Sequence, residues 1–147
     1  MNELQVGTLL AEREIQRSLV AIARAMDERN WDALRHLLLA EATADLGSGM
    51  ISGREAIVDF IRGFLDACGP TQHLLGNVLI DVSGDTASSR SYVSDMHLGR
   101  GDRARLTFST LGDYHDRWRR VDGGWRLSHR TKLNHATLGD VSIFDRN

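Results

Sequence analysis

The 147-residue sequence holds one cysteine, Cys68, and one proline, Pro70. A lone thiol cannot form an intramolecular disulfide, and it cannot supply the thiolate cluster of a structural zinc site. Long apolar runs are missing too: no segment approaches the roughly 20 residues of a membrane span. The opening "MNELQVGTLLAEREIQ" is charged and amphipathic, without the basic start and unbroken apolar stretch of a secretory leader. A soluble, cytoplasmic protein is therefore expected. The formal net charge is only -2 and the arginines are not massed in a run, so neither nucleic acid nor a membrane surface is expected as a partner. Nucleophile elbow, Walker loop, dinucleotide fingerprint and His-Glu-x-x-His are all absent. The "RGD" at Arg100–Asp102 reads as a hairpin turn, because nothing else suggests secretion.

What is present fits one ordinary domain spanning 1–147, long enough to bury a core and a ligand cavity. The first half is helical in pattern. From Leu9 to about Asp27, Ile15, Leu19, Ile22 and Met26 form an apolar stripe. A second short helix starts near Asn30, a suitable N-cap. "ATADLGSGMISG" has room for two short strands. In "SGREAIVDFIRGFLDAC" the spacing of Ser52 and Glu55 matches a capping box, Ile57, Phe60, Ile61 and Phe64 make an apolar face, and Gly69-Pro70 stops the helix.

After Pro70 the pattern changes to four long strands separated by "SGD", "RGD" and "DGG", each break suiting a tight hairpin. Helices followed by an antiparallel meander give an α+β fold. Long twisted strands curl, so the expected shape is a cone-shaped α+β barrel: N-terminal helices packed on a curved antiparallel sheet, with a pocket between them.

Three residues stand out as chemistry-bearing. His73 opens the first long strand in "TQHLLGN", where alternation groups it with Leu75, Asn77 and Leu79. It is either a packed core histidine or half of a proton-transfer pair. Asp27 sits at the end of the first helix on the edge of the buried stripe, where the helix macrodipole disfavours a carboxylate; it is either solvated or needs a partner. Asp95 shares a strand face with Ser91, Val93 and His97, and is either solvent-facing or inside the cavity. Tyr114 and Asp116 share a face further on, and Tyr114 can donate a hydrogen bond into a pocket. Arg119, Arg120, Arg126 and Arg130 suit cross-strand pairs with carboxylates.

Taken together, "WDALR", "TQHLLGN", "SY" and "Y-x-D-x-W-x-x-x-DGGW", in that order from about Glu12 to Lys132, resemble the SnoaL-like branch of the nuclear-transport-factor-2-like (NTF2-like, cystatin-like) superfamily. Scytalone dehydratase, bile acid 7α-dehydratase and hexachlorocyclohexane dehydrochlorinase are close in character; polyketide cyclases and ketosteroid isomerase are more distant. The resemblance implies that Asp27, ahead of Trp31 and Asp32, and His73, after Thr71 and Gln72, form a catalytic dyad, with Asp95 as an additional acidic group. Met26 replaces the tyrosine that scytalone dehydratase carries beside its aspartate. That enzyme's second cavity histidine is expected to fall near Ser109–Leu111, where there is none. The family also includes β subunits of ring-hydroxylating dioxygenases, which are mainly structural.

The expected function is a cofactor-independent lyase of dehydratase type, or an isomerase or cyclase, acting on a small hydrophobic ring compound of steroid, polyketide or aromatic type. His73 is the base and Asp27 its orienter; Asp95 or Tyr114 protonates a departing hydroxyl or binds an enolate. No metal or organic cofactor is called for. Asn77, Met26, Phe64 and Tyr114 are expected to bind substrate, and Leu46, Met50 and Met96 are further wall candidates. The alternative is a non-catalytic ligand-binding or structural subunit. Family analogy adds a homo-oligomer, dimer or trimer, formed through the outer sheet face where Leu74, Val78 and Ile80 alternate.

Overall fold

Residues 1–146 are described by a computed structural model. The first helix, α1, runs from Glu3 to Asp27 and begins six residues before the apolar stripe because Asn2 and Gln5 form a reciprocal capping box. Asn30 caps α2 (Trp31–Leu37) by accepting from the Ala33 amide at 3.1 Å, as the sequence indicates. Strands β1 (Leu38–Asp45) and β2 (Met50–Ser52) follow, then α3 (Arg54–Leu65). Gly53, not Ser52, occupies the N-cap of α3 and offers no side-chain hydrogen bond. Ser52 is held in β2, and Glu55 bonds Arg35 at 2.9 Å instead of turning back on the helix.

Four long strands complete the fold: β3 (Thr71–Ser83), β4 (Thr86–Leu98), β5 (Thr107–Val121) and β6 (Gly124–Gly139). The sheet order is β2-β1-β6-β5-β4-β3. The meander of four strands is antiparallel as expected, but β1 joins β6 in parallel and β2 extends it, so the sheet is mixed and six-stranded. It curves without closing, since β2 and β3 remain separate edges. The turns at Gly84-Asp85 and Asp122-Gly123 are tight two-residue hairpins, with Gly84, Asp122 and Gly123 at positive φ. The "RGD" segment is not: it forms a 3-10 turn, Gly101–Arg103, inside a longer β4–β5 connection.

The helices cover the concave face. Ile15, Leu19 and Ile22 of α1, Leu34 of α2 and Val58 of α3 pack with Trp118 and Trp125 in one core, all nearly inaccessible. Trp118 satisfies its indole N–H on Ser89 Oγ at 2.8 Å.

One irregularity changes which side chains face that core. The β3–β4 register slips between Gly76 and Leu79, and Asn77 takes a φ of 50° there. Before the bulge His73 and Leu75 face inward; beyond it Val78, Ile80 and Val82 do. Strict alternation therefore fails, because one extra residue inverts the pattern. Asn77 is exposed on the bulge, away from the pocket. Val78 and Ile80 pack against the core, so the outer face is made by Leu74 and Leu79 instead.

Asparagine tolerates the left-handed region through local hydrogen bonding, and a β-branched residue does not. Asn77→Gly is expected to leave stability within about 0.5 kcal/mol, whereas Asn77→Val costs about 1–2 kcal/mol, both read by urea denaturation. A marked loss in the glycine variant would mean that the amide itself carries an interaction.

Candidate active site

The site begins where α1 ends. Arg29 takes a left-handed φ of 57°, which lets its amide close back on the Met26 carbonyl at 3.2 Å. Its guanidinium then folds under the helix end. It donates to the carbonyls of Met26 (2.8 Å), Leu65 (3.1 Å) and Gly69 (2.8 Å), and to Thr71 Oγ1 (2.8 Å). Because Thr71 Oγ1 accepts from Arg29, its own proton is free to go to Asp27 Oδ1, at 2.9 Å. The same oxygen accepts from His73 Nδ1 at 2.7 Å, and Asp27 Oδ2 accepts from the His73 backbone N–H at 3.0 Å. That amide lies on the open edge of β3 and has no neighbouring strand to bond. A carboxylate at a helix C-terminus thus gains three donors and a nearby guanidinium against the macrodipole.

Burial works against the charge on Asp27, but the bonds from His73 and Thr71 outweigh it and hold the carboxyl below its ordinary range. An ionised Asp27 requires the proton on His73 Nδ1, which leaves Nε2 as the lone-pair nitrogen. The His73 side chain is 6% exposed and Asp27 21%. His73 forms part of a wall between two spaces. On one side is a pocket of about 330 Å³ under the helices, and on the other a groove between α1 and β3 that Asp27 reaches beside Arg24 and Gln72.

Sheet register builds the rest. His73, Asp95 and Thr110 lie directly opposite one another on β3, β4 and β5, on the concave face. Asp95 is 1% exposed. Its Oδ1 accepts from the Thr110 amide at 2.8 Å; its Oδ2 accepts from Thr110 Oγ1 at 2.7 Å and from Lys132 Nζ at 2.7 Å. Burial opposes its charge, and the Lys132 ammonium with these hydrogen bonds overcomes it, so the carboxyl stays ionised below the usual range. Asp95 lies beneath Lys132 and Thr110, which line the pocket in its place. As a saturated, buried carboxylate it holds no proton for a leaving group, contrary to the role expected of it.

His97 is the second histidine of the site. It stands two residues along the same strand face, its ring edge-on to His73 with centroids 5.4 Å apart. His97 Nδ1 is 3.1 Å from the Phe108 carbonyl, a contact that requires Nδ1 to be the donor and Nε2 the acceptor. Burial lowers its pKa, countered in part by Asp95, so the ring is neutral at ordinary pH. Ligating atoms of His73, Asp95 and His97 all lie within 4.8 Å of one another. A cation already sits at Asp95, however: a metal there would compete with the Lys132 ammonium for the same oxygen.

The pocket wall is apolar, formed by Met26, Phe60, Ile61, Phe64, Phe108 and Phe144. Tyr114 enters it from β5, stacked 3.7 Å from the Arg130 guanidinium, and burial pushes its hydroxyl up to about 12. Arg130 is in turn committed to Asp116 through two bonds of 2.8 and 2.9 Å, the buried cross-strand pair foreseen in the sequence.

The structure thus brings His73, Met26, Phe64 and Tyr114 to the pocket, with Asp27 behind His73 and Asp95 under the floor. Leu46 also lines it. Asn77 does not reach it, Met96 lies on the opposite sheet face, and Met50 is exposed on β2. Arg29, His97, Thr110 and Lys132 were not singled out. Only His97 carried a usable signal, as it shares the Asp95 strand face.

Comparisons with known proteins agree with this architecture. The family model described as SnoaL-like domain matches residues 7–131. An uncharacterized protein of Mycobacterium tuberculosis is 34% identical over 131 residues, 88% of each chain. Among solved structures, a provisionally named aromatic ring hydroxylase from Novosphingobium aromaticivorans aligns with a TM-score of 0.83 at 26% identity, covering 93% of this chain and 98% of its own. A provisionally named scytalone dehydratase from the same organism gives 0.80 at 25%, covering 89% and 88%. A hexachlorocyclohexane dehydrochlorinase of type 2 gives 0.82 at 19%, covering 92% of both, a likeness of fold. No helix among the described residues is long and apolar enough to cross a membrane.

Three groups of the site bind protons less readily in the folded chain than in the unfolded one. Their contribution to stability is complete above the unfolded values of 6.5 for His97 and 3.8 for the aspartates, and drains as pH falls through the folded ones. Urea midpoints followed from pH 8 to pH 3 are therefore expected to decline in two limbs. His97→Gln flattens the upper limb and Asp27→Asn the lower; an unchanged curve in either variant contradicts the assignment.

Proposed function

The chain belongs to the SnoaL-like domain family, and on that footing we propose that it is a cofactor-independent lyase of dehydratase type, or an isomerase or cyclase, acting on a small hydrophobic ring compound. The observation that carries this reading is the 2.7 Å contact between Asp27 and His73 Nδ1 at the wall of an apolar pocket. It leaves Nε2 unprotonated and without a protein partner among the described residues. A neutral imidazole so placed abstracts a proton next to a carbonyl or beside a leaving group, and Asp27 stabilises the imidazolium as it forms. The surrounding aromatic wall strengthens that attraction by excluding water. The 25% identity to a provisionally named scytalone dehydratase lends support from outside the site.

The second reading is a non-catalytic ligand-binding or structural subunit of a ring-hydroxylating system. The likeness to a provisionally named aromatic ring hydroxylase favours it. The open pocket and the paired, ionised Asp27 favour catalysis: a structural tie needs neither a cavity nor a histidine in its wall.

The outer face of the sheet bears Leu74, Leu79, Tyr92, Met96, Leu111 and Leu138, all well exposed. An apolar sheet face of this kind fits a second copy of the chain. Sedimentation velocity at micromolar concentration is expected to show a dimer or trimer, and Leu111→Arg to dissociate it; a monomeric wild type would set that aside.

For the reaction itself, a panel of enolisable and β-hydroxylated ring ketones is incubated in deuterated buffer, with exchange and elimination followed by NMR. Wild type is expected to turn over at least one member, with His73→Ala and Asp27→Asn each slower by about 10²–10⁴-fold. Wild-type rates in both variants would rule out the dyad.

A further inference from the structure

Lys132 has a use that holding Asp95 does not exhaust. Its Nζ donates to Asp95 Oδ2 at 2.7 Å and to Thr110 Oγ1 at 3.0 Å. An ammonium has three protons, and no described residue accepts the third. The side chain is 14% exposed, and that exposure is to the pocket it lines. Tyr114 lies directly opposite Lys132 in the β5–β6 register, on the same concave face. Its hydroxyl has no protein acceptor among the described residues either, and its ring is pinned on Arg130.

The backbone makes room for this pairing. A Cβ on Gly112 would stand 2.9 Å from Lys132 Cε and 2.7 Å from Val93 Cγ1. The missing side chain lets the lysine stem lie across β5 toward Asp95. The sheet is also bulged next to this point, between Leu111 and Gly112. Three features thus converge: a buried anchor for the ammonium, a cleared path for its stem, and a tyrosine opposite the lysine that lines the same pocket.

We propose that Lys132 and Tyr114 together form an oxyanion site, and that the ligand is a planar ring compound whose carbonyl oxygen docks there with its α-carbon at His73 Nε2. This rests on the general-base reading above and narrows the substrate class to enolisable ring ketones. His73 Nε2 takes the α-proton, the C–H pair becomes the enolate C=C, and the carbonyl π pair moves to oxygen under the two donors. When that pair returns to the carbonyl, the enolate C=C pair becomes the α,β double bond and hydroxide leaves the β-carbon, departing as water with the proton from His73; where a neighbouring C=C extends the enolate instead, the far carbon is reprotonated and the product is an isomer. Asp95 is then a positioning residue that fixes the ammonium, and the catalytic cation is Lys132.

The probe is 4-nitrophenol, whose phenolate has the planar ring and charged oxygen of an enolate and reports its own ionisation by absorbance. Titrated near its own ionisation point, the wild type is expected to favour the bound phenolate over the neutral phenol by about tenfold or more. Lys132→Gln is expected to abolish that preference. Asp95→Asn/Lys132→Gln, which replaces the ion pair with two amides, is expected to do the same while preserving the fold, checked by circular dichroism. Binding without charge preference in the wild type overturns the oxyanion site and leaves the aromatic pocket standing. Preference retained in the Lys132 variants but lost in His73→Gln places the charge at the dyad and also overturns it. Failure of any form of the probe to bind removes the ring-compound reading together with the proposal.

Discussion

The hydrogen-bonded tie between Asp27 and the head of β3 is the constraint on which the site depends. It joins the end of the longest helix to an edge strand, and it does so with both carboxylate oxygens. Without it, the His73 amide would be an unpaired donor at the sheet edge and the ring would be free to rotate. With it, the ring is fixed through backbone and side chain at once. Arg29 makes the tie possible, because its guanidinium closes the helix end and orients the Thr71 hydroxyl toward Asp27. The chain of contacts from Arg29 to Thr71, Asp27 and His73 converts a helix terminus into a defined tautomer.

The sheet supplies the second constraint, which is register. Opposed positions on β3, β4 and β5 place His73, Asp95 and Thr110 in one row; the next row to one side contributes His97, and the second row to the other side contributes Tyr114. Bulges then decide where that order stops. The slip at Gly76–Leu79 lets β3 bury His73 at one end and Val78 and Ile80 at the other. The irregularity at Gly112 opens the strand under Lys132. Both are departures from period two, and both lie beside the pocket, where re-aiming side chains has a consequence.

Much of this was legible in the sequence. The α1 stripe, the Asn30 cap, the change of pattern at Pro70 and two of three hairpins follow from local chemistry, and the structure has them. The family resemblance, carried by motif order, is shown by the match over residues 7–131. What was not legible is what depends on partners distant in the chain. Ser52 had the spacing of a cap, but pairing of β2 with β1 took it into a strand. Asn77 and Val78 exchanged faces because a bulge has no periodic signature. The second histidine was expected near Ser109–Leu111, whereas His97 supplies one from β4. Nothing local marks Lys132, because its partner, Asp95, is 37 residues away.

Asp95 shows why burial and pairing must be read together. An isolated carboxyl in an apolar cavity protonates and becomes an acid; one clamped by an ammonium, a hydroxyl and an amide remains an anion. The same logic runs through the whole cavity. Asp27 is close to Arg29 through Thr71, Asp95 is bonded to Lys132, and Asp116 to Arg130. Two of the three carboxylates are bonded directly to a cation, the third reaches one through a hydroxyl, and burial holds His97 uncharged among them. Transfer of a proton to His73 would then create one new pair of charges in a site whose dipoles are already fixed. Asp27 faces the positive member of that pair, and Lys132 with Tyr114 the negative one. In water, solvent would have to reorganise around both; here the partners are in place beforehand, and the apolar wall keeps their attraction from being screened.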